Sequence, residues 1–121
     1  MRHVMCIITL ASFVLAGCGA KKDPVPAADI LAARHPANLR LSLLYGQSCA
    51  ACHAHPEAGA PLVGVGSDWQ ARTAQGDAVL LRHALEGYNG MPAGGQCFAC
   101  TPDDIAALIR FMSTPLPPTA T

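Results

Sequence analysis

The fold is decided by the stretch Cys49-Ala50-Ala51-Cys52-His53, which lies near the middle of a chain of 121 residues. Cysteines three positions apart on one helical turn point to the same side. Two thiols there can form thioethers with the vinyl groups on one edge of a porphyrin, and the next residue, His53, then lies under the iron. C-x-x-C-H is the attachment signature of haem c. The sequence therefore predicts one covalent haem on Cys49 and Cys52, with His53 as an axial ligand.

Composition and charge limit the class of protein. Hydrophobic residues make up 51% of the chain, but it has only one Trp, two Tyr and three Phe, so large side chains to fill a core are scarce. A flat apolar group at the centre would supply buried area that side chains otherwise provide. The formal net charge is zero, which gives no basis for binding nucleic acid. We expect one small domain that its cofactor helps to stabilise, without a nucleic-acid partner.

The N-terminus has the pattern of an export signal. Residues 1–3 are a short basic start, and residues 4–15 form an apolar run too short to cross a bilayer as a mature helix. The segment 15–18, which ends in Cys18, resembles the bacterial lipoprotein signal, in which cleavage falls before a cysteine that carries lipid. The pattern predicts loss of residues 1–17 and a periplasmic protein anchored through Cys18 to a bacterial membrane, with the outer membrane favoured. The alternative is an ordinary signal peptide, with Cys18 incidental.

The remainder of the chain divides by composition. Residues 18–38 contain Lys and Pro without sustained periodicity beyond a possible short turn of helix at residues 29–35, which is typical of a flexible tether. We expect the folded domain at residues 39–113, followed by a Pro-rich tail at residues 114–121.

Helix signals recur through the predicted domain, and no strand pattern emerges. Asn38 can cap an amphipathic helix that runs towards Cys49, and Asp77 can cap another that runs to Glu86 and is stopped by Gly87. Residues 101–104 are a strong helix start, with Pro at the first helical position and acids in the first turn. The sequence predicts an all-α fold.

Met91, which Pro92 follows, is the candidate for the sixth iron ligand. Methionine sulfur favours reduced iron, so a His/Met pair raises the reduction potential. Met112 stands at helical spacing in the last predicted helix, and we expect it in the core. Three histidines are alternatives that we expect to be structural or solvent-facing: His35, His55 and His83.

A second cysteine pair, Cys97 and Cys100, has no histidine after it, because Thr101 comes next. In an oxidising compartment the simplest outcome is a small disulfide loop just before the last helix. A redox-active motif of the thioredoxin kind would need a βαβ context, which the pattern lacks. Zinc held by both cysteine pairs is a further alternative, although the spacing between the pairs exceeds that of zinc ribbons.

Several stretches share one known pattern: Tyr45-Gly46-Gln47-Ser48-Cys49-Ala50-Ala51-Cys52-His53, Gly59-Ala60-Pro61, Trp69-Gln70-Ala71-Arg72, Gly90-Met91-Pro92 and Cys97-Phe98-Ala99-Cys100-Thr101. Together they resemble cytochrome c5, a family of class I c-type cytochromes. The resemblance implies a class I cytochrome c fold around one haem, whose first and last helices cross and bring Tyr45 near Phe111. It also implies that the Pro61 carbonyl accepts a hydrogen bond from the His53 ring.

The function expected from this sequence is electron transfer and not catalysis. A carrier of single electrons would meet redox proteins in transient complexes, stay near the membrane through its lipid, and have no small-molecule substrate. The alternative is a haem enzyme or gas sensor in which the sixth iron position is open.

Overall fold

Six α-helices make up most of the ordered structure in the computed structural model, which describes residues 19 and 21–118. They are α1 (Ala28–Ala33), α2 (Leu39–Gln47), α3 (Ala50–His53), α4 (Gly66–Thr73), α5 (Asp77–Glu86) and α6 (Pro102–Ser113), with short 3-10 turns at Pro56–Ala58 and Ala93–Gln96. No strand occurs in the described residues, so the all-α prediction is confirmed. None of the helices described is both long and apolar enough to cross a membrane. The predicted signal segment 1–17 and Cys18 lie outside the described residues.

Helix α2 delivers the haem-attachment motif. The Asn38 side chain accepts a hydrogen bond from the Leu41 backbone N–H at 3.0 Å, which caps the helix as the sequence predicted. Leu44 and Tyr45 are buried on its inner face. At its C-terminal end the Ser48 hydroxyl donates to the Leu44 carbonyl at 2.6 Å, directly before the motif begins.

Helix α6 begins with a complete capping box. The Thr101 hydroxyl accepts from the Asp104 backbone N–H at 3.1 Å, and the Asp104 carboxylate accepts from the Thr101 backbone N–H at 2.9 Å. Four residues at helical spacing form its buried stripe: Ile105, Leu108, Ile109 and Met112. Met112 is therefore a core residue, as expected.

Helices α2 and α6 meet through two contacts. The rings of Tyr45 and Phe111 pack edge to face, with centroids 5.2 Å apart, which confirms the pairing that the resemblance implied. The Arg40 guanidinium lies 2.8 Å from the Asp104 carboxylate. The helix that carries the haem motif is thus fixed against the last helix.

The buried apolar side chains form two separate clusters. The larger cluster consists of Leu31, Leu44, Tyr45, Ala54, Leu62, Val63, Val65, Trp69, Leu108 and Met112. The smaller cluster consists of Leu80, Ala84, Ile105 and Ile109, and Met91 packs against it. Cys100 packs against both clusters. Met91, the candidate sixth ligand, therefore packs against the smaller cluster, whereas Trp69 belongs to the larger one.

The N-terminal part of the chain is packed where the sequence predicted a flexible tether. Leu31 on α1 is 0% exposed and belongs to the larger cluster. The sequence indicated at most a short turn of helix at residues 29–35, and the burial of Leu31 fixes that helix on the domain. At the other end the Leu116 backbone N–H donates to the Gly64 carbonyl at 2.8 Å, so the predicted tail is bonded as far as that residue.

Candidate haem site

His53 is a buried imidazole held by a backbone carbonyl. The residue is only 6% exposed, and its Nδ1 lies 2.7 Å from the Pro61 carbonyl oxygen. Because a carbonyl can only accept, Nδ1 carries the proton and Nε2 keeps its lone pair. Burial lowers the pKa of His53, against the opposite effect of the Pro61 hydrogen bond. The ring is therefore neutral, and the lone pair of its Nε2 can bind a metal.

Three hydrogen bonds hold the loop that contacts His53. The Val63 backbone N–H donates to the His53 carbonyl at 2.8 Å. The Trp69 indole N–H donates to the Leu62 carbonyl at 2.8 Å, and the Leu62 N–H donates to the Asp68 carboxylate at 3.0 Å. The sequence did not reveal this role of Trp69, although Trp69 is the only Trp in the chain.

Cys49 and Cys52 have free thiols beside this histidine. The backbone N–H of His53 donates to the Cys49 carbonyl at 2.9 Å, which places all three residues on one helical turn. Cys49 is partly buried and Cys52 is exposed. Burial raises the pKa of the Cys49 thiol, while the Ser48 hydroxyl near its sulfur has the opposite effect. Both sulfurs are available for thioether bonds.

Met91 lies at the end of a tight turn. Tyr88 and Met91 exchange two backbone hydrogen bonds, of 3.0 and 2.9 Å, and Asn89 between them takes a left-handed φ of 52°. A Cβ placed on Gly95 would come within 3.2 Å of the Met91 Cε. The absence of a side chain at Gly95 therefore leaves space for the methionine.

The three alternative histidines have other partners. His35 Nδ1 lies 3.1 Å from the Ser42 hydroxyl, and His55 Nδ1 lies 3.1 Å from the Glu57 carboxylate in an exposed pair. The ring of His83 stacks on Tyr88, with centroids 4.0 Å apart and planes at 13°. These contacts favour structural or surface roles for all three.

The second cysteine pair has a different geometry from the first. The sulfurs of Cys97 and Cys100 lie within disulfide-bonding distance of each other, and Thr101 follows them. Within the part of the chain that the structure describes, no three His, Cys, Asp or Glu side chains gather to hold a metal ion.

The side chains present fit a covalently bound haem. The donor set comprises two free thiols on one helical turn, a neutral buried imidazole next to them, and a thioether in the other apolar cluster. An imidazole and a thioether are axial ligands typical of cytochromes c.

Comparison with known proteins finds cytochromes among the similar proteins. The model of the family described as cytochrome C oxidase, cbb3-type, subunit III matches residues 37–112. Cytochrome c5 of Azotobacter vinelandii is 40% identical over 67 residues, which cover 54% of this chain and 81% of that protein. Cytochrome c5 of Ectopseudomonas mendocina is 32% identical over 72 residues, covering 58% of this chain and 83% of that protein.

The chain belongs to the cytochrome c5-like class I c-type cytochromes.

As a member of this family of electron-transfer proteins, the c5-like cytochrome carries covalently attached haem c. It is also 36% identical over 55 residues to cytochrome c-555 of Prosthecochloris aestuarii, and it spans 56% of that protein's length while the match covers 46% of this chain. A similar solved structure is entitled "Crystal structure of electron transfer complex of nitrite reductase with cytochrome c". The TM-score is 0.56 at 32% identity, with 63% of this chain and 93% of the other covered.

Proposed function

We propose that the c5-like cytochrome carries single electrons between redox proteins, with its iron held by His53 and Met91. The observation that supports this most directly is the buried imidazole, oriented by the Pro61 carbonyl beside two free cysteines. When bound, haem c supplies an iron that gains or loses one electron. The chain contributes ligands, their orientation and a low-polarity surrounding.

Each proposed ligand has a distinct physical effect. The Pro61 carbonyl holds the imidazole in one orientation and increases the donor strength of Nε2. The Met91 thioether is uncharged and soft, so it favours the reduced iron and raises the potential. Both ligands are neutral. The hydrogen bond to the Pro61 carbonyl orients the His53 ring, and two backbone hydrogen bonds with Tyr88 hold the turn that carries Met91.

Carbon monoxide distinguishes an electron carrier from a haem enzyme or gas sensor. The reduced wild-type protein should not bind carbon monoxide at neutral pH, because Met91 occupies the sixth position. Met91→Ala should bind it rapidly and have a lower midpoint potential. Met112→Leu is the matched control, since that methionine is in the core, and it should behave as wild type. Rapid binding by the wild type would contradict the proposal.

Mass spectrometry distinguishes the two cysteine pairs. We propose that haem is bonded to Cys49 and Cys52, while Cys97 and Cys100 form a structural disulfide. Cys49→Ser together with Cys52→Ser should remove the haem mass from the denatured polypeptide. Cys97→Ser together with Cys100→Ser should retain it. The reverse result would assign the haem to the second pair.

We also propose that the protein is periplasmic and anchored through lipid on Cys18. The proposal is supported by the short basic start of the sequence, by the apolar run at residues 4–15 and by Cys18, which follows that run. Its partners would be redox proteins met in short-lived complexes, and the solved neighbour in complex with nitrite reductase supports this mode of action. The mass of the mature protein should include acyl chains and should lack residues 1–17, and Cys18→Ser should abolish acylation.

A further inference from the structure

The segment 21–38, which we call the N-terminal strap, is bonded to the domain at its first residues. The Asp23 backbone N–H donates to the Ser67 hydroxyl at 2.9 Å, and the Ser67 backbone N–H donates to the Asp23 carboxylate at 2.7 Å. Helix α4 has no cap from its own N-cap residue, Val65. Asp23 therefore supplies a hydrogen-bond acceptor that the start of α4 lacks.

The strap is also held further along its length. Leu31 is fully buried in the larger apolar cluster. Arg34 donates to the Thr114 carbonyl and lies over the Phe111 ring, 5.3 Å from its centroid. His35 packs edge to face on Tyr45, with centroids 5.4 Å apart. Apolar, polar and aromatic contacts together fix the strap from its beginning to its end.

These contacts change the distance over which an anchor at Cys18 could hold the domain. If residues 18–38 were free, the span could reach about 70 Å when fully extended. Because the chain is bonded to the domain at Asp23, only the residues from 18 to 23 remain, and they span at most about 18 Å.

We propose that the strap fixes the side of the cytochrome that faces the membrane and holds the start of α4 within a few residues of the lipid anchor. This inference rests on the proposed lipidation of Cys18. The groove beside the strap has three cationic side chains, Lys21, Lys22 and Arg72. They outnumber the carboxylates of Asp68 in the groove and Asp23 beside it, so this face suits the anionic surface of a phospholipid bilayer.

The test uses the mature lipidated holoprotein, which begins at Cys18, in phospholipid vesicles with a fluorophore on some headgroups. Haem quenches such fluorophores by energy transfer, which decreases steeply with distance. About ten Gly/Ser residues inserted after Ala20 lengthen the link without altering the strap. With the strap bonded, the root-mean-square span should rise about 1.7-fold, whereas a tether free up to residue 38 would lengthen only about 1.2-fold.

We therefore expect the insertion to reduce the quenching, and to reduce it more than it would for a tether that is free up to residue 38. The same insertion after Pro118 is the matched control and should leave quenching unchanged. Asp23→Ala combined with Leu31→Ser should release the strap and reduce the effect of the insertion after Ala20. An insertion after Ala20 that hardly changes quenching would overturn the proposal.

Two further measurements separate this proposal from the lipid anchor on which it rests. The mass of the purified protein reports acylation, and its absence would overturn both proposals. Hydrogen exchange of the Cys18→Ser holoprotein reports strap contacts without lipid. Protected amides in α1 are expected, and rapid exchange there would overturn the strap proposal even if acylation were found.

Discussion

The rings of Trp69 and His53 are stacked, with centroids 5.8 Å apart and planes at 26°. The two residues are also joined through the backbone of one loop. Pro61 accepts from the imidazole and Leu62 accepts from the indole, so adjacent carbonyls fix the two rings. The orientation of the proposed proximal ligand thus depends on a tryptophan that does not bind the iron.

Trp69→Phe should destabilise the holoprotein while keeping an aromatic ring beside His53. The substitution removes the indole N–H and leaves the Leu62 carbonyl without its donor, at a cost of about 1–3 kcal/mol. Trp69→Ala should cost more, about 3–5 kcal/mol, because it also leaves a cavity. Denaturant unfolding of the ferric protein measures both. Equal stability of Trp69→Phe and wild type would show that the hydrogen bond contributes nothing.

The stack of His83 on Tyr88 should stabilise the turn that carries Met91. An aromatic pair contributes about 0.5–1.5 kcal/mol beyond its buried area. The methionine–iron charge-transfer absorption of the ferric protein should therefore be lost at a lower temperature in His83→Ala than in wild type. His83→Phe should restore it, since stacking is retained. Identical thermal profiles for all three proteins would contradict this prediction.

The ion pair between Asp104 and Arg40 should make stability depend on pH in the acid range. The side-chain hydrogen bond from Arg40, followed by the backbone hydrogen bond from Thr101, lowers the pKa of Asp104 to about 2. A carboxyl whose pKa is lower in the folded state contributes stability above its unfolded pKa, about 4. That contribution is lost as the pH falls from about 4 to about 2.

Asp104→Asn should accordingly unfold at a lower temperature than wild type at pH 7. The difference should narrow as the pH falls through the same window. Asp103→Asn is the control, because Asp103 is next to Asp104 in the sequence but has no part in the ion pair with Arg40. A difference that is constant with pH would exclude the ion pair as its cause.

Leu31→Ala should destabilise the domain although the residue lies outside the domain boundary that the sequence predicted. Loss of a fully buried leucine costs about 2–5 kcal/mol. Ile30→Ala is the matched control, since Ile30 is 40% exposed, and it should change the unfolding free energy much less. Equal effects of the two substitutions, measured by chemical denaturation, would show that α1 is not packed in solution.

Local sequence signals predicted the elements that depend on neighbouring residues. The capping box at Thr101 and the apolar stripe behind it gave α6, and Gly87 gave the end of α5. Asp77, which the sequence predicted as the cap of α5, is instead its first residue, because the N-cap is Gly76. The thiols and imidazole of the haem motif could be recognised for the same reason, because one helical turn brings them together.

Contacts between distant parts of the chain could not be predicted in this way. Asp23 and Ser67 are 44 positions apart, and the prolines near Asp23 are also typical of a linker. A short turn of helix was predicted near α1, but a single buried leucine does not reveal that this helix packs on the domain. The stacking of Trp69 on His53 likewise depends on the path of the intervening loop, which the composition of that loop does not reveal.

The two ends of the described chain converge beside Gly66. A Cβ at that position would come within 3.2 Å of the Asp23 carboxylate and 3.5 Å of the Pro115 ring. Asp23 and Pro115 therefore lie beside the same residue, and a short peptide could join the chain at these two positions. New termini opened in an exposed turn such as that at Gln75 would then give a circular permutant with the same arrangement of helices.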